Sequence, residues 1–204
     1  MRSKWNVIAI LCVGMVLPAQ MAIAQEVAAY LGLGIAHDGS SGKQVDTFGD
    51  GTLYHTPSLG GPFANLGASV FFGKHVGAGA EIAWRPAQGD YAGIKYRPSF
   101  YSFDAIYRFR LGQRKRVEPE LRAGIGGARV RYFFDDQPFC DAFPGCPDST
   151  HFQTHLAAAT RIFLTDHFFL RPAVDVHYVN HFSEFGSNWA PRYSFGIGYS
   201  LGRE

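Results

Sequence analysis

Apolar residues alternate with small or polar ones in eight separate runs along this chain, the period of two that marks an extended strand with one buried face. From Glu26 onward, Val27, Ala29, Leu31, Leu33 and Ile35 share a face, with Ala28, Tyr30, Gly32, Gly34 and Ala36 opposite. Next, Leu66, Ala68, Val70 and Phe72 oppose Asn65, Gly67, Ser69 and Phe71, and then Val76, Ala78, Ala80, Ile82 and Trp84 oppose Gly77, Gly79, Glu81 and Arg85. A fourth run sets Tyr101, Phe103, Ala105, Tyr107 and Phe109 against Ser102, Asp104 and Arg108. The fifth places Leu121, Ala123 and Ile125 outward, with Glu120, Arg122 and Gly124 inward; Gly126-Gly127 is expected to form a bulge where the phase slips. Leu156, Ala158, Ile162 and Leu164 oppose His155, Ala157, Ala159 and Arg161 in the sixth run. The seventh sets Phe168, Leu170, Val174, Val176 and Tyr178 against Arg171, Ala173, Asp175 and His177. In the last, Tyr193, Phe195, Ile197, Tyr199 and Leu201 oppose Ser194, Gly196, Gly198 and Ser200.

The links between runs alternate in length: 37–62 long, 73–75 short, 86–93 medium, 112–116 short, 134–150 long, 165–167 short and 180–190 medium. A soluble sandwich has no reason to gather its long loops at one end, whereas a transmembrane barrel has short turns on the periplasmic side and longer loops outside. The fold class is therefore all-β, an eight-stranded antiparallel up-and-down transmembrane β-barrel with both termini at the short-turn end. Phe71, Phe72, Trp84, Tyr107, Phe109, Phe168, Phe169 and Tyr199, near the ends of runs, are expected to form aromatic girdles. Pro172 sits awkwardly inside the seventh run, because a proline offers no N–H to the ladder; its nearness to the 165–167 turn places it close to the interface.

The beginning of the chain reads as an export signal. Arg2 and Lys4 precede an apolar run from Val7 to Leu17, and Ala22-Ile23-Ala24 offers a small-x-small cleavage pattern. That run is far shorter than the roughly 20 residues of a spanning helix. Residues 1–24 are thus expected to be a cleaved signal peptide and 25–204 the barrel domain. Without Arg2 and Lys4, basic and acidic residues are equal in number, which argues against a nucleic-acid partner. Cys140 and Cys146 then remain, and in an exported chain they are expected to close a local disulfide.

The final run carries a more specific signal. Ser194-Phe195-Gly196-Ile197-Gly198-Tyr199-Ser200-Leu201 resembles the last-strand signal read by the barrel-assembly machinery of Gram-negative bacteria, with Ser194, Gly196, Tyr199 and Leu201 in its polar, glycine, aromatic and terminal apolar places. Leu201 replaces the commoner phenylalanine, and Gly202-Arg203-Glu204 extend past it. Over the mature chain, pattern and terminal motif together resemble the small outer-membrane barrels of OmpA/OmpW type. The resemblance implies Sec export, an integral outer-membrane location, assembly by that machinery, and a monomer among outer-membrane lipids and lipopolysaccharide.

An eight-stranded barrel is just wide enough to be filled by its own side chains. The inward set is highly charged: Glu81, Arg85, Asp104, Arg108, Glu120, Arg122, Arg161, Arg171, Asp175 and His177. Unpaired buried charge is costly, so these residues are expected to form an ion-paired plug, with Glu81 and Glu120 standing between Arg161 and Arg171. The same register sets His155 against His177 and His151 against His181. Paired imidazoles suggest a metal, but no cysteine or carboxylate in the pattern completes a ligand set, so no metal or cofactor is expected. The loop acids Asp135, Asp136, Asp141 and Asp148 lack a calcium-loop spacing. Gly32-x-Gly34 and Gly124-x-Gly126-Gly127 lie within strands rather than before a helix, which excludes a phosphate-binding loop.

One catalytic alternative stands out. Lipid A deacylases of the outer membrane carry a His-x-Ser-Asn motif, and His181-Phe182-Ser183-Glu184 is similar at His181 and Ser183, with Glu184 in place of the asparagine. A Ser–His pair also needs an orienting group and an oxyanion hole. The favoured function is a non-enzymatic structural or surface-interaction barrel with an occluded charged lumen. A porin-like narrow channel for small solutes and a lipid A ester hydrolase are the alternatives.

Overall fold

Hydrocarbon offers no water to peptide groups, so a membrane sheet is stable only when its edges are joined. The computed structural model describes residues 26–37, 44–46, 51–91, 93–111, 116–134, 137–138, 149–182 and 185–203. Its main strands are β1 (Glu26–Ala36), β2 (Gly61–Phe71), β3 (Val76–Trp84), β4 (Ile94–Arg108), β5 (Val117–Phe134), β6 (Ser149–Phe163), β7 (Phe168–Val179) and β8 (Trp189–Leu201). Each pairs antiparallel with the next, and β1 pairs with β8, closing an up-and-down barrel. At the long-loop end, Gln44–Asp46 pairs with Leu53–His55, Gly89–Tyr91 with β4, and Gln137–Pro138 with β5.

The ladders fix the shape of the barrel. Following partners around it leads from Glu26 to Phe71, Gly77, Ile106, Arg122, Ala157, Asp175, Arg192 and back to β1 at Ala36. That stagger goes with strands tilted roughly 35–45° and a lumen that side chains can fill. Outward residues such as Leu33, Phe103, Ile125, Leu156 and Tyr193 are exposed, and their strand neighbours are buried, as the alternation predicts. The lipid face is bounded by two aromatic levels. Phe72, Tyr107, Phe109, Phe168 and Tyr199 lie toward the short turns, and Trp84, Tyr101, Phe152, Tyr178 and Trp189 toward the long loops.

Two details differ from the sequence expectation. No bulge interrupts β5: its register with β4 runs unbroken from Lys95↔Phe133 to Arg108↔Glu120. Glycine at 126 instead permits close strand approach, since a Cβ there would stand 1.8 Å from the Tyr101 carbonyl oxygen. Phe71 and Phe169 are not girdle residues; both are buried and floor the lumen. β4 begins at Ile94, where the 86–93 link ends, and inward Tyr96 and Phe100 carry the alternation on past Tyr101. Pro172 keeps its place opposite Phe195 of β8, and the β6–β7 pairing passes from Ala159↔Ala173 to Ile162↔Leu170 without a shift of register.

Gly126→Ala is expected to lower the folded fraction, read by the migration of unheated samples in gel electrophoresis. Gly73→Ala, where nothing lies within 4 Å of the added carbon, is expected to leave it unchanged.

Candidate functional site

Interior polar residues of seven strands, all but β2, form one connected system. At its base, Arg161 of β6 reaches three carboxylates: Glu26 at 2.7 Å, Glu118 at 2.9 Å and Glu120 at 2.6 Å. Arg108 pairs with Glu26 and lies 3.4 Å from Glu118, and the Ser200 hydroxyl donates to Glu26 at 2.7 Å. Arg110 and Arg203, at the periplasmic edge, lie 3.6 and 3.3 Å from Glu118. Beneath the ion pairs the guanidiniums of Arg108 and Arg161 lie 3.8 and 4.6 Å from the Phe71 ring, and that of Arg203 lies 3.6 Å from the Phe163 ring, so cations and aromatic faces close the floor together.

Higher in the lumen, Glu120 also accepts from Arg122 at 3.0 Å. Arg171 lies 3.8 Å from both Glu81 and Glu120, so Glu120 stands between Arg161 and Arg171 as expected, whereas Glu81 stands between Arg171 and Arg192. The Tyr30 hydroxyl donates to Glu81 at 2.5 Å and accepts from Arg122 at 3.0 Å. Tyr30 fits because Gly67 is bare: a Cβ there would stand 2.3 Å from the phenol oxygen. Arg192 of β8 pairs with Glu81 and lies 3.1 Å from Asp175. Asp175 faces one nitrogen of His155 at 3.4 Å, and Asp104 faces the other at 2.7 Å. The polar chain thus runs from Arg108 at the base to Asp104 near the mouth.

An apolar lid covers that chain. His155 stacks on His177 and His177 on Phe100, each at 4.7 Å, and Phe100 packs on Phe63 at 5.8 Å. Above them the loop residues Leu59, Phe182 and Phe185 are buried with Ala36, Tyr96, Ala128, Val130, Val179 and Ala190. Tyr96 donates to the Ser58 carbonyl at 2.6 Å and accepts from the Ser58 amide at 2.7 Å, and Arg85 donates to the same carbonyl at 2.8 Å. The β1–β2 loop is thereby pinned across the mouth. An apolar seal, a neutralised polar middle and an aromatic floor leave the lumen occluded.

Most of the predicted lumen residues lie together, but Arg85 stands above the ion pairs as a loop clamp. Sequence reasoning missed Glu26, Tyr30, Glu118 and Arg192. Tyr30 already stood on the inward face of the first run without being read as part of the charge network, whereas the other three stand at or beside the end of a run, and extending the fifth and eighth runs by one or two residues would have reached Glu118 and Arg192. Asp104 and Asp175 flank His155, and no group of three or more potential metal ligands occurs among the described residues. His151 stacks edge-on with Phe182 at 5.7 Å. It does not face His181 in the ladder: the pairing ends at Gln153↔Val179, and His181 occupies a turn at φ 56°. Ser183 and Glu184 lie outside the described residues, as do residues 1–24 and Asp135, Asp136, Asp141 and Asp148. Ser194, Gly196, Tyr199 and Leu201 lie in β8, with Tyr199 and Leu201 outward.

A closed barrel with an apolar waist, two aromatic levels and a charge-filled interior is an integral outer-membrane barrel. The chain belongs to the outer membrane protein beta-barrel domain family, whose sequence model matches residues 8–203. No curated protein matches it. Among solved structures it is similar to OprG from Pseudomonas aeruginosa, at 16% identity and TM-score 0.59, covering 87% of this chain and 96% of that one. It is also similar to Ail, the attachment invasion locus protein of Yersinia pestis, at 14% identity and TM-score 0.53, covering 86% and 98%. The N-terminal β-barrel domain of Pseudomonas aeruginosa OprF matches at 13% identity and TM-score 0.51, covering 86% and 97%.

Two expectations are corrected here. The porin-like label falls to the filled lumen and to matches with small barrels such as Ail and OprG. The Cys140–Cys146 disulfide is withdrawn: both cysteines lie outside the described residues, among which no disulfide occurs.

Removing Arg161 takes one cation partner from each of three buried carboxylates, Glu26, Glu118 and Glu120. Arg161→Met is expected to destabilise the refolded barrel by about 3–5 kcal/mol. Arg85→Gln, which loses one bond to a loop carbonyl, is expected to cost about 1 kcal/mol. Urea unfolding followed by tryptophan fluorescence measures both.

Proposed function

We propose that this protein is a non-enzymatic surface barrel, with a lumen that serves as its scaffold and loops and outer wall that carry its interactions. The observation that carries the reading is the sealed interior. Five arginines and six carboxylates are buried there, and the charged groups face one another directly, under a lid made partly of loop residues. An ion path would need those contacts opened, at a cost of several kcal/mol for each charge left unpaired. The protein reconstituted in planar bilayers is expected to show no steady large conductance; a steady open level would overturn the reading.

The enzymatic alternative rests on His181 and Ser183 alone. Mass spectra of lipid A from cells with and without the protein are expected to be identical, and loss of one acyl chain would establish a hydrolase.

Assembly by the barrel-assembly machinery and residence as a monomer among lipopolysaccharide are part of the same proposal. Ser194, Gly196, Tyr199 and Leu201 support the first, since the strand that carries them also closes the barrel against β1. Tyr199→Ser with Leu201→Ser is expected to reduce the amount of folded protein in outer-membrane fractions severalfold, while purified protein still refolds in detergent.

A further inference from the structure

Charge is excluded from the outward face of the eight strands except at one place. Lys95 and Arg97 of β4, with Arg129 and Arg131 of β5, occupy outward positions beyond Tyr101 and Ile125. Their strand neighbours Tyr96, Pro98 and Val130 are buried inward. The register sets Arg97 directly opposite Arg131 and Ser99 opposite Arg129, with Lys95 two residues past Arg97. Thr150 of β6 stands beside Arg129 and Asp90 opposite Lys95; Lys95 and Arg129 each have a further interaction within the chain, so the pair without an acid among its described strand partners is Arg97 and Arg131.

Like charges directly across a ladder destabilise it, with Cβ atoms only about 5 Å apart. This juxtaposition therefore calls for a counter-anion between the guanidiniums. Arg97 supports that need: its guanidinium lies 5.4 Å from the Phe133 ring, and its buried Nε has no hydrogen-bond partner among the described residues. Arg131 is exposed.

Height and direction select the anion. Arg97 lies four residues past Tyr101, roughly 10 Å above that aromatic level for a tilted strand. That is headgroup depth, and all four positions lie on the outward face of the barrel wall. Below them, Tyr101, Phe103, Ile125 and Leu156 present apolar surface to acyl chains. The geometry points to a binding site for the phosphate of an outer-leaflet glycolipid, with Arg97 and Arg131 bridging the phosphate and Arg129 and Lys95 flanking it. Guanidiniums suit this task because each can bind a phosphate through two parallel N–H bonds. The inference deepens the reading of the outer wall as the working surface and rests on it.

The test uses the full mature protein in detergent, mixed with bisphosphorylated lipid A, dephosphorylated lipid A or phosphatidylcholine, with bound lipid counted by native mass spectrometry. Wild type is expected to retain bisphosphorylated lipid A in preference to both others. Arg97→Gln/Arg129→Gln/Arg131→Gln is expected to weaken that retention by on the order of a hundredfold while migrating as a folded barrel. Should the triple variant misfold, Arg131→Gln alone, at an exposed position, is expected to give about a fivefold loss. Equal retention of dephosphorylated lipid A, or an unaltered variant, would overturn the proposal. So would binding of soluble heparin at these arginines without lipid A binding, which would make the site one for a soluble polyanion. Conductance recorded on the same preparations separates the two readings: an open channel would sink the scaffold role and leave the lipid result standing.

Discussion

A peptide group in hydrocarbon has only other peptide groups to bond, and the rest of this structure depends on that constraint. The β1–β8 ladder meets it by joining the first strand to the last, from Val27↔Leu201 to Ala36↔Arg192. Closure with eight strands and a stagger from Glu26 to Ala36 sets a narrow lumen, and a narrow lumen is filled by side chains. Whatever the alternation directs inward must therefore find its partner within the barrel. Arg161 illustrates the consequence, since it meets carboxylates from β1 and β5 at once.

Buried ion pairs are weak evidence for stability, because apolar replacements of similar volume often do as well. Here they have a second effect, on register. A slip of one residue turns a strand's inward set outward, which for β6 or β7 would move Arg161 or Arg171 into lipid. An arginine on the lipid face costs up to about 2–4 kcal/mol at the midplane and less toward the interface, whereas a slipped alanine costs almost nothing. Strands rich in small residues, such as β6 with Ala157, Ala158 and Ala159, would slide readily without such a pin. The charges hold the register while the apolar lid and the aromatic floor keep water away from them.

The barrel was legible because its causes are local. Period two, turn length and the terminal motif are all written in neighbouring residues, so Leu31 and Ile197 could be assigned to lipid without knowledge of their partners. The site was legible in composition but less so in connection. Glu81 and Glu120 could be placed between arginines by counting from turns, yet Glu26 and Arg192 stand at the ends of runs where periodicity fades. Gly126-Gly127 looked like a bulge because a second glycine blurs the alternation, and only the Tyr101 carbonyl explains the bare backbone. Phe71 and Phe169 show a related limit. An aromatic at a strand end suits a girdle or a floor equally well, and its face is decided by a cation across the lumen. The lid was beyond sequence reach, since Leu59, Phe182 and Phe185 come from loops whose fold depends on the rim beneath them.

The two sides of the wall treat charge in opposite ways, and the contrast says where interaction belongs. Inside, each arginine of the plug has a carboxylate of the same chain within 4 Å, so the protein supplies its own counter-charge and the interior asks nothing of its surroundings. Outside, Arg97 and Arg131 stand across from each other in the ladder, an arrangement that strand pairing opposes and the environment must balance. Among the described strand partners no acid faces Arg97 or Arg131, and both stand at the depth the proposed glycolipid phosphate would occupy.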